Sequence, residues 1–351
     1  MLIFFIRHGE TVDNVGGIYA GVRDSELTNH GILQARSLAD YFKQSRCPVS
    51  LILASPLQRA RRTAEAILNA QNGNTGTQTN SGDAASRRPQ ATLVKTPLLI
   101  EQDFGFYEGK PFYARSSDYN KSGKDAHYDK HRQDPNFKDV ESKESMAKRC
   151  DGFLDDFLVP AVHEREGQDT AIAVVSHGIL LSNLWRRFLL RLARKSITIA
   201  DEVTAAKGQI LLEHLGGWSN TGFLEVRLTR RRDPDAGLVN DSQLPIDGQG
   251  TISTDDALSS IADMAAAEAD ADRTIPPVPT STGEVADPDA SSVLPKVTSR
   301  SRGLASFNLN ILTVNGQEHM RGVKRARGGI GSAKYDEGQK SLDSFFKKAK
   351  K

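Results

Sequence analysis

The chain has 351 residues, of which 38% are hydrophobic and 26% charged, with a mean hydropathy of −0.45. That length can bury a sizeable core, but the low apolar share predicts that a substantial fraction stays outside it. No run approaches the roughly 18–20 apolar residues that a membrane-spanning helix needs, and the net charge of +2 conceals strong segregation along the chain. Cys47 and Cys150 lie far apart without CxxC spacing, so they read as buried or incidental thiols in a reducing compartment, not as a disulfide. The opening run Met1–Ile6 is too short for a signal segment and has no small-residue cleavage site, which predicts an intracellular protein.

In chain order, Leu2–Ile6 is an uninterrupted apolar run, the pattern of a strand covered on both faces. Arg7-His8-Gly9-Glu10-Thr11 follows, then a helical pattern over Gly31–Gln44, a strand at Leu51–Ala54, and Ser55-Pro56-Leu57-Gln58-Arg59-Ala60 opening a helix at Leu57–Asn69. Residues 69–90, rich in Asn, Gly, Thr and Ser, are expected to form a mobile loop. Leu98–Gly109 contains Glu101 and Glu108. The polar insertion 111–143 carries His127-Tyr128-Asp129-Lys130-His131, whose spacing can mimic a metal site. A solvated loop or lid is the better reading, because no further ligand cluster accompanies it. A helix is predicted over Lys143–Glu166 and a strand over Ala171–Val175. Val174-Val175-Ser176-His177-Gly178 leads into a helix in which Leu180, Leu184, Phe188 and Leu192 recur every four residues. Gln209–Leu215 and Gly222–Leu228 read as a strand pair. Alternating strand and helix patterns over residues 1–232 predict an α/β layer sandwich.

Beyond Arg230 the composition changes. Residues 233–292 hold thirteen acidic side chains against Arg273 alone, and residues 293–351 hold thirteen Lys and Arg against four acids. Such blocks predict a long disordered C-terminal tail, with 233–334 as an acidic-then-basic linker. Ala257–Ala271 could form a fraying helix. Phe307, Leu309, Ile311 and Val314 form a short apolar patch with no assignment at this level, and no internal repeat is visible.

Four of these segments place His, Arg and carboxylates where strands lead into helices, the place where open α/β folds bind ligands. An imidazole that attacks phosphorus, guanidinium groups that grip equatorial oxygens, a second imidazole as a positive donor and a carboxylic acid for the leaving oxygen are the parts of a phosphoryl-transfer site. In the order RHGET, SPLxRA, LxExxFGxxEG and VVSHG, they resemble the histidine phosphatase (phosphoglycerate mutase-like) superfamily over residues 1 to about 230. The resemblance implies a three-layer α/β/α sandwich with a mostly parallel sheet and a reaction that needs no metal or other cofactor. It further implies that His8 carries the phosphoryl group, that Arg7, Asn14, Arg59 and His177 surround it, and that Glu101 donates the proton, with Glu108 as a rival acid. Gly21 would line the pocket by its backbone, Gly178 would follow the second histidine, and Asn220-Thr221-Gly222 matches the family's ending.

The mutase branch reads Glu-Arg-His-Tyr-Gly where this chain has Gln102 and Asp103, and usually tryptophan where it has Val22. Both departures favour hydrolysis of a phosphomonoester and resemble the fructose-2,6-bisphosphatase-like and broad-specificity phosphatase branches. Mutase-type phosphoryl transfer and a clamp-binding interaction protein with vestigial activity are the alternatives. His177-Gly178 with no acidic residue after it also argues against the acid phosphatase/phytase branch. At the C-terminus, Gln339-Lys340-Ser341-Leu342-Asp343-Ser344-Phe345-Phe346 followed by lysines resembles the peptide by which proteins dock on the sliding clamp, proliferating cell nuclear antigen. There Gln339 would fill a polar pocket while Leu342, Phe345 and Phe346 form an apolar plug across residues 335–351. Lys324-Arg325-Ala326-Arg327 and the terminal lysines could serve as nuclear import signals or bind nucleic acid non-specifically, so a nuclear location is expected.

Overall fold

The computed structural model describes residues 1–45, 47–73, 90–111, 132–208, 210–231, 303–327 and 329–336. Leu2–Arg7 (β1), Val49–Ala54 (β2), Thr92–Lys95 (β3) and Ala171–Ser176 (β4) pair in parallel in the order β3-β2-β4-β1. Every residue of β1 and β4 is buried, as continuous apolar strands require. Three more strands, Ile197–Ile199 (β5), Phe223–Arg230 (β6) and Phe307–Gly316 (β7), extend the sheet past β1 in the order β6-β7-β5, making seven. Only β6 among these runs antiparallel to its neighbours.

Side chains alternate across a strand, so β1 sends Phe4 and Ile6 to one face and Ile3 and Phe5 to the other. Val12–Gly16 (α1) is a single turn after β1, while Asn29–Gln44 (α2) and Gln58–Asn72 (α3) cover the Phe4 face with Leu38, Phe42, Ala64 and Ile67. Lys143–Phe153 (α4), Val159–Glu164 (α5) and Gly178–Leu189 (α6) cover the Phe5 face with Phe153, Leu184, Trp185 and Phe188, and Asp201–Lys207 (α7) packs beside β7. Burying each Leu, Ile or Phe among them contributes about 1.5–3 kcal/mol. The result is the three-layer α/β/α sandwich with a mostly parallel sheet that the family resemblance implied.

Local differences have local causes. α3 runs to Asn72, whose side chain bonds both the amide and the carbonyl of Ala91, so the first insertion is pinned at its ends and β3 begins directly after it. The helix expected at Lys143–Glu166 is interrupted by a wide turn, Leu154–Leu158, in which the Val159 amide reaches back to Leu154 O. Pro160 lacks an N–H and its ring crowds the carbonyl four residues earlier, and the wide turn relieves both. Gln209–Leu215 does not pair with β6; its described residues show only a Leu211–His214 bridge, and β6 pairs with β1 and β7 instead. Cys47 and Cys150 are free and buried in the cores on opposite faces of the sheet.

The largest correction concerns the linker expected at 233–334. Phe307, Leu309 and Ile311 are buried and alternate with polar Asn308 and Asn310, and this period-two pattern forms β7 between β6 and β5. Net charge hid it, because the apolar face is short and flanked by basic residues. Residues 317–327 pack against α2, and residues 329–336 end beside the loop that leads into it. There Thr28 bridges Lys334, the Asn29 amide bonds Ala333 O and the Tyr335 amide bonds Leu27 O. His127, His131, Ala257–Ala271, Gln339, Leu342, Phe345 and Phe346 lie outside the described residues. None of the helices among the described residues is long and apolar enough to cross a membrane.

Candidate active site

The carboxyl ends of β1, β2 and β4 bring His8, Ser55, Arg59 and His177 together. His8 is buried at the end of β1, its amide bonded to Ser176 O and its Nδ1 donating to Gly9 O at 2.7 Å. That bond selects the tautomer with a lone pair on Nε2. Burial, then the charges of Arg59 and Arg7, push its pKa well below 6.5, so the imidazole is neutral. The rings of His8 and His177 lie 5.1 Å apart, edge to face.

Arg59, on the first turn of α3, is buried, and its Nε donates to His177 Nδ1 at 3.1 Å. Its Nη1 bonds Arg23 O, and its Nη2 bonds Ala20 O and Gly21 O. Burial lowers its pKa to about 10, which leaves it a cation at neutral pH. His177 Nε2 in turn meets Ser55 Oγ at 2.9 Å. Because Nδ1 accepts from Arg59, Nε2 carries the proton and donates to Ser55. His177 is therefore neutral, held well below 6.5 by burial and by Arg59, and is not the positive donor expected from sequence.

Glu101 is buried and accepts from the amides of Gln102, Ile179 and Leu180, so it caps the first turn of α6 in place of the N-cap residue His177. Burial raises its pKa above 4.5 against the pull of those amides. Arg149 of α4 fixes the same segment by bonding Leu98 O, Ile100 O and Glu101 O while pairing with Glu141. The rival Glu108 is used differently. Its two oxygens accept from the amides of Gly21, Val22, Arg23 and Phe104 and organise the loop whose carbonyls hold Arg59.

Gly21 does not offer its amide to the pocket, since Glu108 takes it; a Cβ there would overlap Gln102 O, so the position requires glycine for packing. Asn14 Oδ1 accepts from the Thr11 amide and from Asn220 Nδ2, leaving its own Nδ2 as the remaining donor. Arg7 Nη1 donates to Trp218 O, and Gly178 stands beside the Arg7 guanidinium. The sequence marks no site role for Ser55, Thr63 (which joins the Gly9 amide to Arg59 O) or Trp218, and places Arg325 only in a candidate import signal, whereas its guanidinium pairs with Glu10 through two bonds. Ser55 stood within a quoted motif, whereas Arg325 had no local signal. Among the described residues, no three His, Cys, Asp or Glu side chains form a metal-binding cluster.

A family model described as Histidine phosphatase superfamily (branch 1) matches residues 3–199. A Schizosaccharomyces pombe protein named as a probable phosphatase is 33% identical over 187 residues, covering 53% of this chain and 56% of that one. The chain thus spans about half the length of that relative. The broad-specificity phosphatase of Saccharomyces cerevisiae is 25% identical over 229 residues, covering 63% of this chain and 87% of its own. A solved mycobacterial glucosyl-3-phosphoglycerate phosphatase is 20% identical, with a TM-score of 0.42 over 64% of this chain and 89% of that one. With its motif segments gathered around His8 and more than half its length matched, the chain belongs to the histidine phosphatase superfamily.

Proposed function

We propose that this protein is a phosphatase that hydrolyses phosphomonoesters through a phosphohistidine at His8, without a metal. The observation that carries this reading is the neutral His8, its Nδ1 spent on Gly9 O and its Nε2 left as the nucleophile beside two arginines. Nε2 attacks phosphorus as the ester P–O bond breaks, and the proton of Glu101 passes to the leaving oxygen. Water then attacks the phosphohistidine, Glu101 takes its proton, and phosphate departs with His8 restored. Arg7 and Arg59 supply the charge that stabilises the transferring group.

Hydrolysis is favoured over mutase transfer by what Gln102 and Asp103 contact. Gln102 Nε2 donates to Glu141 O, and Asp103 pairs with Lys138 and accepts from the Gly105 amide, so neither offers a cation to a second phosphate. The test is acid-quench trapping with an aryl phosphate in EDTA. Wild-type protein should yield an acid-labile phosphoprotein and His8→Ala none. Wild-type turnover by His8→Ala, or activity lost in EDTA and restored by magnesium or zinc, would overturn the reading. Rapid interconversion of phosphoglycerate isomers would favour the mutase alternative.

The tail supports a second, separable role as a tether to the sliding clamp, carried by Gln339, Leu342, Phe345 and Phe346. Asp336, the last described residue, is exposed, so the motif follows a surface point of the fold. A nuclear location and weak, salt-dependent nucleic-acid contact belong to the same reading. Arg325 is committed to Glu10, which leaves the terminal lysines as the better import signal.

A further inference from the structure

Behind Arg7 and His8 lies the turn Trp218–Gly222, which holds them almost entirely through their main chain. The Thr221 amide is shared between Arg7 O at 3.1 Å and His8 O at 3.2 Å, Asn220 Nδ2 reaches His8 O at 3.2 Å, and the Arg7 amide bonds Gly222 O at 3.1 Å. Thr221 adopts a left-handed conformation, φ 57°, although it is β-branched and fully buried. Such a backbone persists only where its surroundings hold it.

Those surroundings come from residues beyond the family match. Thr221 Oγ1 donates to Asn220 O at 2.7 Å, so it accepts from His319 Nε2 at 2.9 Å, which fixes the His319 tautomer. The Ser219 amide donates to Asn315 Oδ1 at 2.9 Å, and Asn315 Nδ2 donates to Ser219 Oγ at 2.9 Å. A Cβ on Gly222 would overlap Asn315 Oδ1, so the fit leaves no room for drift. We propose that Asn315 and His319 are positioning residues of the phosphatase site, fixing the attacking face of His8 through the Trp218–Gly222 turn.

The proposal rests on His8 being the nucleophile. A displacement of about 1 Å at such a group can cost on the order of 100-fold in rate, and it would slow attack on every substrate alike. The test uses the full-length chain and a series of aryl phosphates with leaving groups of different basicity. His319→Phe, which fills the space without a donor, should lower kcat by about 10- to 100-fold with the same factor for each leaving group. The inhibition constant of inorganic phosphate should stay nearly unchanged. His319→Gln, which can present an amide N–H near the Nε2 position, should recover most of the rate. Thr221→Val removes the acceptor, and combining it with His319→Phe should be no worse than either change alone. Full activity in His319→Phe overturns the proposal, as does a loss that His319→Gln fails to rescue and that follows the melting temperature. If His319→Phe does not fold, Thr221→Val decides alone, with wild-type kcat as the overturning result. Wild-type turnover by His8→Ala would instead sink the nucleophile assignment, whatever His319 does.

Discussion

Arg59 Nε donates to His177 Nδ1 across 3.1 Å, and that bond joins the first turn of α3 to the N-cap of α6 as one electrostatic unit. It keeps the second histidine neutral, fixes its tautomer against Ser55 and places a buried cation beside the first.

A pH–rate profile follows. His8 stays unprotonated well below pH 6.5, so the acid limb of kcat/KM should lie below that value. Glu101 must carry a proton to protonate the leaving oxygen in the first step, and its pKa is raised, so kcat/KM should fall as pH rises through a value above 4.5. Glu101→Gln should abolish the alkaline limb for activated aryl phosphates and slow poor leaving groups by about 10²–10⁴-fold. An alkaline optimum unchanged in Glu101→Gln would remove Glu101 from the role of acid.

Stability should follow pH in the sense set by the buried histidines. His8 and His177 lie well below 6.5 and His319 at about 4, all chiefly through burial. The unfolded chain therefore takes up more protons than the native one below pH 6.5, and their contribution is complete above that value and lost as pH falls through the folded values. Each such proton steepens the loss by up to about 1.4 kcal/mol per pH unit. Denaturant midpoints measured from pH 7.5 to 4.5 check this, and His319→Phe should show the shallower slope.

Glu108→Gln separates the two candidate acids. It weakens a carboxylate that serves four amides, two of them in the exposed part of the loop, so a stability loss of about 2–3 kcal/mol is expected. The carbonyls of Ala20, Gly21 and Arg23 that hold Arg59 should shift, raising KM. A steep dependence on leaving-group basicity in Glu108→Gln, with none in Glu101→Gln, would reverse the assignment.

Truncation at residue 232 should not yield a stable domain. It strips β7 from β6, leaves β5 without its partner and removes Arg325 from Glu10. By contrast, Arg231 and Ser306 are already joined by a backbone bond of 2.8 Å, so replacing 233–301 with a short linker should preserve the melting temperature within a few degrees. Deleting 337–351 should leave it unchanged. Soluble, cooperatively melting protein from the 1–232 fragment would contradict the role given to β7.

A peptide spanning residues 335–351 should bind the eukaryotic sliding clamp with micromolar affinity, about −8 kcal/mol. Phe345→Ala with Phe346→Ala should abolish binding, since each ring buries roughly 2–3 kcal/mol of apolar surface, while phosphatase turnover in the full chain stays intact. Calorimetry checks it: an absence of heat and of competition with a clamp ligand at high micromolar peptide would make the motif a coincidence.

The sequence by itself determined what depends on neighbouring residues. Apolar runs marked β1, β2 and β4, four-residue periodicity marked α6, and His8, Arg59, Glu101 and His177 were legible because each sits in a short segment where a strand feeds a helix or loop. The short edge strand β3 was missed because Thr92–Lys95 is too exposed and too brief to show an apolar pattern. Only the tertiary structure decided which groups share bonds. Glu108 differs from Glu101 in which distant amides surround it, and His177 is neutral because Arg59, 118 residues away, occupies its Nδ1. His319 and Thr221 are 98 residues apart and Arg325 and Glu10 are 315 apart. Closing such loops costs entropy that grows only slowly with length, so the chain can join them without any local mark of the pairing. Burial and hydrogen-bond geometry, which exist only once the sheet has assembled, select the partners.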